Sequence, residues 1–172
     1  MPARSAPPVI DAAHAAFLRG RVSIVAASRD GRNVPSLTRG LGCRVSRDRQ
    51  QVTVLLRTAQ SRQLLTDLRT TDAIAVVFSE PASHRSLQLK GDVVAIGSPA
   101  RSDAALMARY RDAMVAEICQ LGYTEALIRA MLSCPFGDAI AVTFRPTHAF
   151  SQTPGPGAGQ ALQPGEVPRA GA

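Results

Sequence analysis

Tryptophan is absent from this sequence, and aromatic residues of every kind make up 4% of its 172 positions. That scarcity weakens any function built on the stacking platforms and aromatic cages that recognise single-stranded nucleic acid and quaternary ammonium groups. Lysine is nearly absent as well: of 20 basic residues 19 are arginine, and Lys90 is the exception. The net charge of +7 is thus carried by arginines scattered along an alanine-rich chain, the signature of a GC-rich coding sequence more than of a phosphate-binding stripe. The densest stretch, Arg44 to Arg49, is interrupted by Asp48 and falls where a hairpin turn is expected. Basic charge of this kind supports non-specific attraction only, and nucleic acid is not an expected partner. No apolar run reaches the roughly 18 residues of a membrane span, and the N-terminus has no continuous apolar leader core. The expectation is a cytoplasmic protein with no membrane partner.

Cysteine is sparse too. Three of them, an odd number set far apart, argue against a disulfide framework. Cys43, Cys119 and Cys134 show no close ligand spacing with His14, His84 or His148, so no metal site is expected. Neither a Gly-x-Ser-x-Gly elbow nor a Walker-type loop occurs. Asp112 and Glu117 fall on an arginine-rich helical stretch and read as pairing charges rather than as an acid–base couple. With no general acid or base to point to, a protein of this composition that reacts at all would lean on a cofactor.

What is present is a globular balance, 45% apolar and 19% charged, at the length of one ordinary domain. Pro2, Pro7 and Pro8 mark residues 1–10 as a loose lead. Residues 11–18 read as a short helix capped by Asp11. Strands are expected at 22–27, 34–45 and 51–57, joined by an Asp30-Gly31 turn and a polar turn at 47–50, which is an antiparallel meander. The period then changes: Leu64, Leu65 and Leu68 form a helical stripe over residues 61–69, with Ser61 as its cap. Residues 73–78 are continuously apolar and read as a strand buried on both faces. A long strand follows at 83–96, with Gly91 as a bulge or bend. Helices are expected at 102–119 and 124–132, and a last strand at 138–150. Six strands with one helix inserted after the third favour a barrel or strongly coiled sheet, a mainly β, α+β fold. Residues 11–151 would form the domain, with a helical insert at 102–132. Residues 152–172, with four prolines and five glycines, would form a tail whose far end is disordered. Its first part, residues 152–157, is expected to fold over the rim of the ligand site, with residues after about Pro164 mobile.

Three constellations could hold a ligand. In Arg57-Thr58-Ala59-Gln60-Ser61-Arg62 a strand runs into a helix start, where free backbone N–H groups, the hydroxyls of Thr58 and Ser61 and the Arg62 guanidinium would suit a phosphate. On the second strand, alternation sets Arg39 on one face with Pro35, Leu37, Leu41, Cys43 and Val45, opposite Ser36, Thr38, Gly40 and Gly42. Either Arg39 meets an anionic group or an electron-rich ring edge, or a bulge at Gly40 or Gly42 sends it to solvent. On the fifth strand Ser86, Gln88 and Lys90 share a face, and the Gln88 amide can both donate to and accept from a heteroaromatic edge, unless this is an ordinary polar outer face.

The order and spacing of these stretches are themselves informative. Val-Ser-Ile-Val-Ala-Ala-Ser, an Asp-Gly turn, Val-Pro-Ser-Leu-Thr-Arg, Val-Thr-Val-Leu-Leu-Arg-Thr-Ala-Gln-Ser-Arg-Gln-Leu-Leu and His-Arg-Ser-Leu-Gln-Leu-Lys-Gly follow one another between Phe17 and Ile96. Together with the last strand they resemble the pyridoxamine 5′-phosphate oxidase-like, FMN-binding split-barrel family. The resemblance implies a six-stranded antiparallel split β-barrel and a homodimer with the cofactor at the subunit interface. It implies FMN phosphate at Thr58, Ser61 and Arg62, contacts to the flavin ring from Thr38 and Arg39, and polar contacts from Ser86 and Gln88. The oxidase-like pattern has a glutamine where this chain has Ser86. The Arg- and Trp-bearing C-terminal region of the pyridoxal phosphate-forming oxidases is missing, and pyridoxamine phosphate oxidation is not carried over. The implied protein is an FMN-dependent oxidoreductase with an unassigned small-molecule substrate or electron donor. The alternatives are a non-catalytic flavin-binding module or a haem-binding split barrel, with FAD, a deazaflavin or haem in place of FMN.

Overall fold

The computed structural model describes residues 9–162, and the lead before them and the far C-terminal segment lie outside the described residues. Asp11 starts the chain's first helix, α1 (Ala12–Leu18), by accepting a hydrogen bond from the His14 amide at 2.8 Å. Strand β1 (Ser23–Arg29) then turns at Asp30, whose carboxylate accepts from the Arg32 and Val34 amides. Next come β2 (Pro35–Val45) and β3 (Val52–Arg57). A single 3-10 turn, Thr58–Gln60, separates β3 from α2 (Arg62–Thr71), where the sequence predicts a direct passage. Then follow β4 (Ala73–Ser79), β5 (Ser86–Gly97), α3 (Asp103–Cys119), α4 (Glu125–Met131) and β6 (Ala139–Ser151).

The six strands close into an antiparallel barrel in the order β1-β2-β3-β6-β5-β4. Alternation sends Ile24 and Ala26 of β1, Val54 and Leu56 of β3, Val76 and Phe78 of β4, Leu87 and Leu89 of β5 and Phe144 of β6 into one core, all at most 0% exposed. Leu64, Leu65 and Leu68 of α2 join this core, as do Phe17 and Leu18 of α1. A second cluster forms outside the barrel, where Met114 and Val115 of α3 and Ile128 of α4 pack on Leu41, Leu55 and Ala141. That cover explains why β3 is buried on both faces.

Two glycines shape the barrel. At Gly42 the backbone has φ +136°, and a Cβ would sit 2.5 Å from Leu106 Cδ2. The β2–β3 register shifts between Gly40 and Cys43, so the alternation of β2 reverses there. Leu37 and Arg39 point outward, while beyond the bulge Cys43 points into the core. A Cβ on Gly91 would lie 2.1 Å from the Arg145 carbonyl oxygen, and the β5–β6 register shifts at this point, as the sequence predicts.

The fourth strand departs from its sequence reading. Ile74, Val76 and Phe78 are buried, but Ala73, Ala75 and Val77 are only half-buried. No helix among the described residues covers this side of the barrel. Residues 152–162 fold back on the barrel: the chain turns and pairs with the end of β6 through Ser151 N–H to Gln160 O at 2.9 Å and Leu162 N–H to Ala149 O at 2.8 Å. The expected disorder and mobility after Pro164 concern residues outside those described.

Candidate functional site

The strand-to-helix junction after β3 is built around Ser61. Its backbone carbonyl accepts the Leu65 amide at 2.8 Å, so it occupies the N-cap position of α2. Its hydroxyl makes no cap. It is wholly buried, donates to the Arg57 carbonyl at 2.8 Å and lies 3.4 Å from the Thr38 hydroxyl. Ser61 and Thr38 therefore lock β2 to the junction, and neither hydroxyl faces outward. This corrects the expectation that Ser61 caps the helix through its side chain. Thr58 and Arg62 are exposed at the same junction, and their side chains have no partner among the described residues. The first turn of α2 contains no acidic residue. Its leading N–H groups and positive dipole end thus meet no anion from the chain's own helix start.

One residue of this junction escaped the sequence reading. Asp67 is 3% exposed, and its carboxylate accepts hydrogen bonds from the Ser36 hydroxyl and from Gln63 Nε2. It ties α2 to β2. The signal was its place between Leu65 and Leu68, within the apolar stripe of the helix, where a carboxylate needs partners.

The second part of the site is the uncovered outer face. Register places Arg39, Val25, Val77, Gln88 and Phe150 in one row across five strands. Leu37, Ala27, Ala75, Lys90 and His148 form the next. Arg39 and Gln88 thus share a row, three strand spacings or about 14 Å apart. Arg39 lies exposed on this face and donates to the Ser23 hydroxyl at 3.1 Å. The register shift between Gly40 and Cys43 follows it, and Leu37 on the same side is exposed as well. Ser86 lies on the same face as Gln88, in the neighbouring row with Ser23 and Ser79, but it is 8% exposed, bonds Ser79 Oγ at 2.8 Å and is covered by Thr153, whose hydroxyl accepts the Ser86 amide at 3.0 Å. Gln152 Nε2 lies 3.3 Å from Gln88 Oε1, so the returning C-terminal segment touches both sequence-predicted residues of β5.

Tyr110 of α3 is half-buried against β2, and burial raises its hydroxyl above the ordinary tyrosine range while the Arg39 guanidinium draws it down. Among the described residues no group of three metal-ligating side chains occurs.

Closure of the six strands, the plugging helices α1 and α2 and the helix-covered flank define a six-stranded α+β split barrel. Solved structures share this fold. An F420 reductase aligns at TM-score 0.51 with 16% identity, covering 78% of this chain and 93% of its own. A candidate pyridoxamine 5′-phosphate oxidase from Lactobacillus delbrueckii aligns at 0.51 with 11% identity, covering 81% and 92%. HupZ of Group A Streptococcus aligns at 0.51 with 13% identity, covering 87% and 99%. No family model and no curated protein matches the sequence. The fold implied by the sequence resemblance is the fold the chain has.

Proposed function

We propose that this protein binds a flavin, FMN in the first place, as a homodimer of the pyridoxamine 5′-phosphate oxidase-like kind, and serves oxidoreductase chemistry on a small-molecule substrate or electron donor. The observation that carries the reading is the start of α2, which has no side-chain cap and no acid in its first turn and is flanked by the unpartnered Thr58 and Arg62. A phosphate would receive backbone N–H groups, a hydroxyl and a guanidinium there. Of the three residues assigned to phosphate, the exposed Thr58 and Arg62 would contact it, and the buried Ser61 would support the junction from beneath. Bound FMN supplies hydride or electron transfer. The chain's part is to hold the phosphate, to set the ring against the outer face near Arg39 and Gln88, and to keep water from it.

The half-buried Val25, Ala27, Ala75 and Val77, with Leu37 68% exposed beside them, support a second copy over the same face. Of the imidazoles a haem would need as an axial ligand, His14 is wholly buried in the cap of α1, while His84 and His148 are exposed.

Titration of apoprotein with FMN and with riboflavin tests the reading. Tighter binding of FMN is expected. Equal affinity for the two, or binding of neither, overturns it.

A further inference from the structure

Beyond the flavin junction, a cleft of about 420 Å³ opens at the opposite end of β2, between the end of α1 and the start of α3. Its floor is apolar: Leu18, Val45, Leu106, Ala113, the Tyr110 ring and the Cys43 thiol. Its walls carry three arginines, Arg19, Arg44 and Arg109. One carboxylate stands against them. Asp103 is 1% exposed and accepts from Arg44 Nε at 3.1 Å and from the Ala100 amide at 2.9 Å. Arg19 spends only its Nε, on the Ala15 carbonyl at 2.9 Å, and Arg109 has no partner among the described residues. Arg19 also acts electrostatically on the Cys43 thiol in the cleft floor, so its charge is felt inside.

An apolar floor of this volume is of the size that small-molecule sites have. Three guanidiniums against one committed carboxylate leave positive charge unanswered at its walls. We propose that this cleft is a second binding site, taking an amphipathic monoanion with an apolar body and one carboxylate or similar head group. The head group pairs with Arg109 and Arg19, and the body lies on Leu18, Val45 and Leu106. The site stands independently of the flavin reading, because it shares no residue with the α2 junction.

The test uses the full chain and 1-anilinonaphthalene-8-sulfonate as the fluorescent probe, displaced in separate titrations by decanoate, 1-decanol and inorganic phosphate. Saturable probe binding displaced by decanoate, and not by decanol or phosphate, is expected. Arg109→Glu should weaken decanoate about tenfold or more, by loss of a charge-assisted contact and gain of repulsion. Ala113→Phe, which fills the cleft without touching its charge, should abolish displaceable binding, with circular dichroism confirming that each variant is folded. Displacement by decanol as effective as by decanoate overturns the proposal. So does decanoate binding unchanged in folded Arg109→Glu, or failure of decanoate to displace the probe. FMN affinity measured on Arg109→Glu should match the wild type, which separates failure of this site from failure of the flavin site.

Discussion

Two neighbouring residues at the start of α2 should respond to alanine in opposite ways. Arg62 is exposed and its side chain has no partner among the described residues, so Arg62→Ala should leave stability within about 0.5 kcal/mol. If its guanidinium holds the cofactor phosphate, the loss is one charge-assisted bond of about 1.5–3 kcal/mol. Solvent exposure places the effect at the low end, about tenfold in FMN affinity. Riboflavin, which has no phosphate, should bind Arg62→Ala as it binds the wild type. Ser61→Ala should do the reverse. The Ser61 hydroxyl is 0% exposed, and its removal strips the Arg57 carbonyl of a 2.8 Å donor and leaves Thr38 without its neighbour. Losing a hydrogen bond at this half-buried carbonyl and baring the buried Thr38 hydroxyl costs about 1–2 kcal/mol, or roughly 2–8 °C in Tm for a domain of this size. The assay is flavin fluorescence titration with FMN and riboflavin, run beside thermal melts of both variants. The reasoning is refuted if Arg62→Ala leaves FMN affinity unchanged or weakens riboflavin equally.

Further predictions concern the frame around that junction. Gly91→Ala should destabilise by about 1–3 kcal/mol or more, because its methyl would overlap the Arg145 carbonyl at 2.1 Å, whereas Gly31→Ala meets nothing within 4 Å; paired urea titrations check the contrast. Burial pushes the Cys43 thiol up from 9.0 to about 12. The folded protein therefore keeps a proton that the unfolded chain releases, and stability should fall as pH rises from 9 toward about 12, at up to roughly 1.4 kcal/mol per pH unit. Cys43→Ala should flatten that part of the profile in denaturant titrations across this range. Deleting residues 165–172 should leave flavin affinity unaltered, while deleting 152–172 uncovers Ser86 and removes the Gln152–Gln88 contact, and should weaken flavin binding or shift its spectrum. An unaltered spectrum and affinity after the longer deletion would remove this segment from the site. Val77→Arg on the uncovered face should convert a dimer to a monomer in light scattering without lowering Tm by more than a few degrees.

The meander of the first three strands was legible because alternation and turn chemistry are local: Asp30-Gly31 and the polar turn near Asp48 mark their hairpins without reference to the rest of the chain. The site was legible only in part. That Arg39 and Cys43 face opposite sides depended on whether β2 bulges between them, and that depends on Leu106 of α3 crowding Gly42 from more than sixty positions away. The direction of the Ser61 hydroxyl depended on the 3-10 turn inserted before α2, which brings the Arg57 carbonyl within reach. The misreading of β4 has a different cause. Its composition is that of a strand buried on both sides, and in the chain by itself one side stays bare. Asp67 was missed because a single carboxylate in a leucine stripe reads as solvent-facing until Ser36 and Gln63 are seen around it.

Closure of the barrel has a consequence for assembly. With every strand paired on both sides, the sheet has no free edge on which another chain could continue it. Association through main-chain hydrogen bonds, the route to swapped strands and fibrils, is thereby closed to the six barrel strands. A contact between copies through the barrel strands would run through side chains, face against face. Helices α3 and α4 already occupy one flank, and the rows through Val25 and Val77 lie on the other. A bare patch that meets its own copy forms a two-fold contact, and such a contact is satisfied after one partner. In a pair formed through these rows, the half-uncovered side of β4 would be covered without any main-chain bond between the copies.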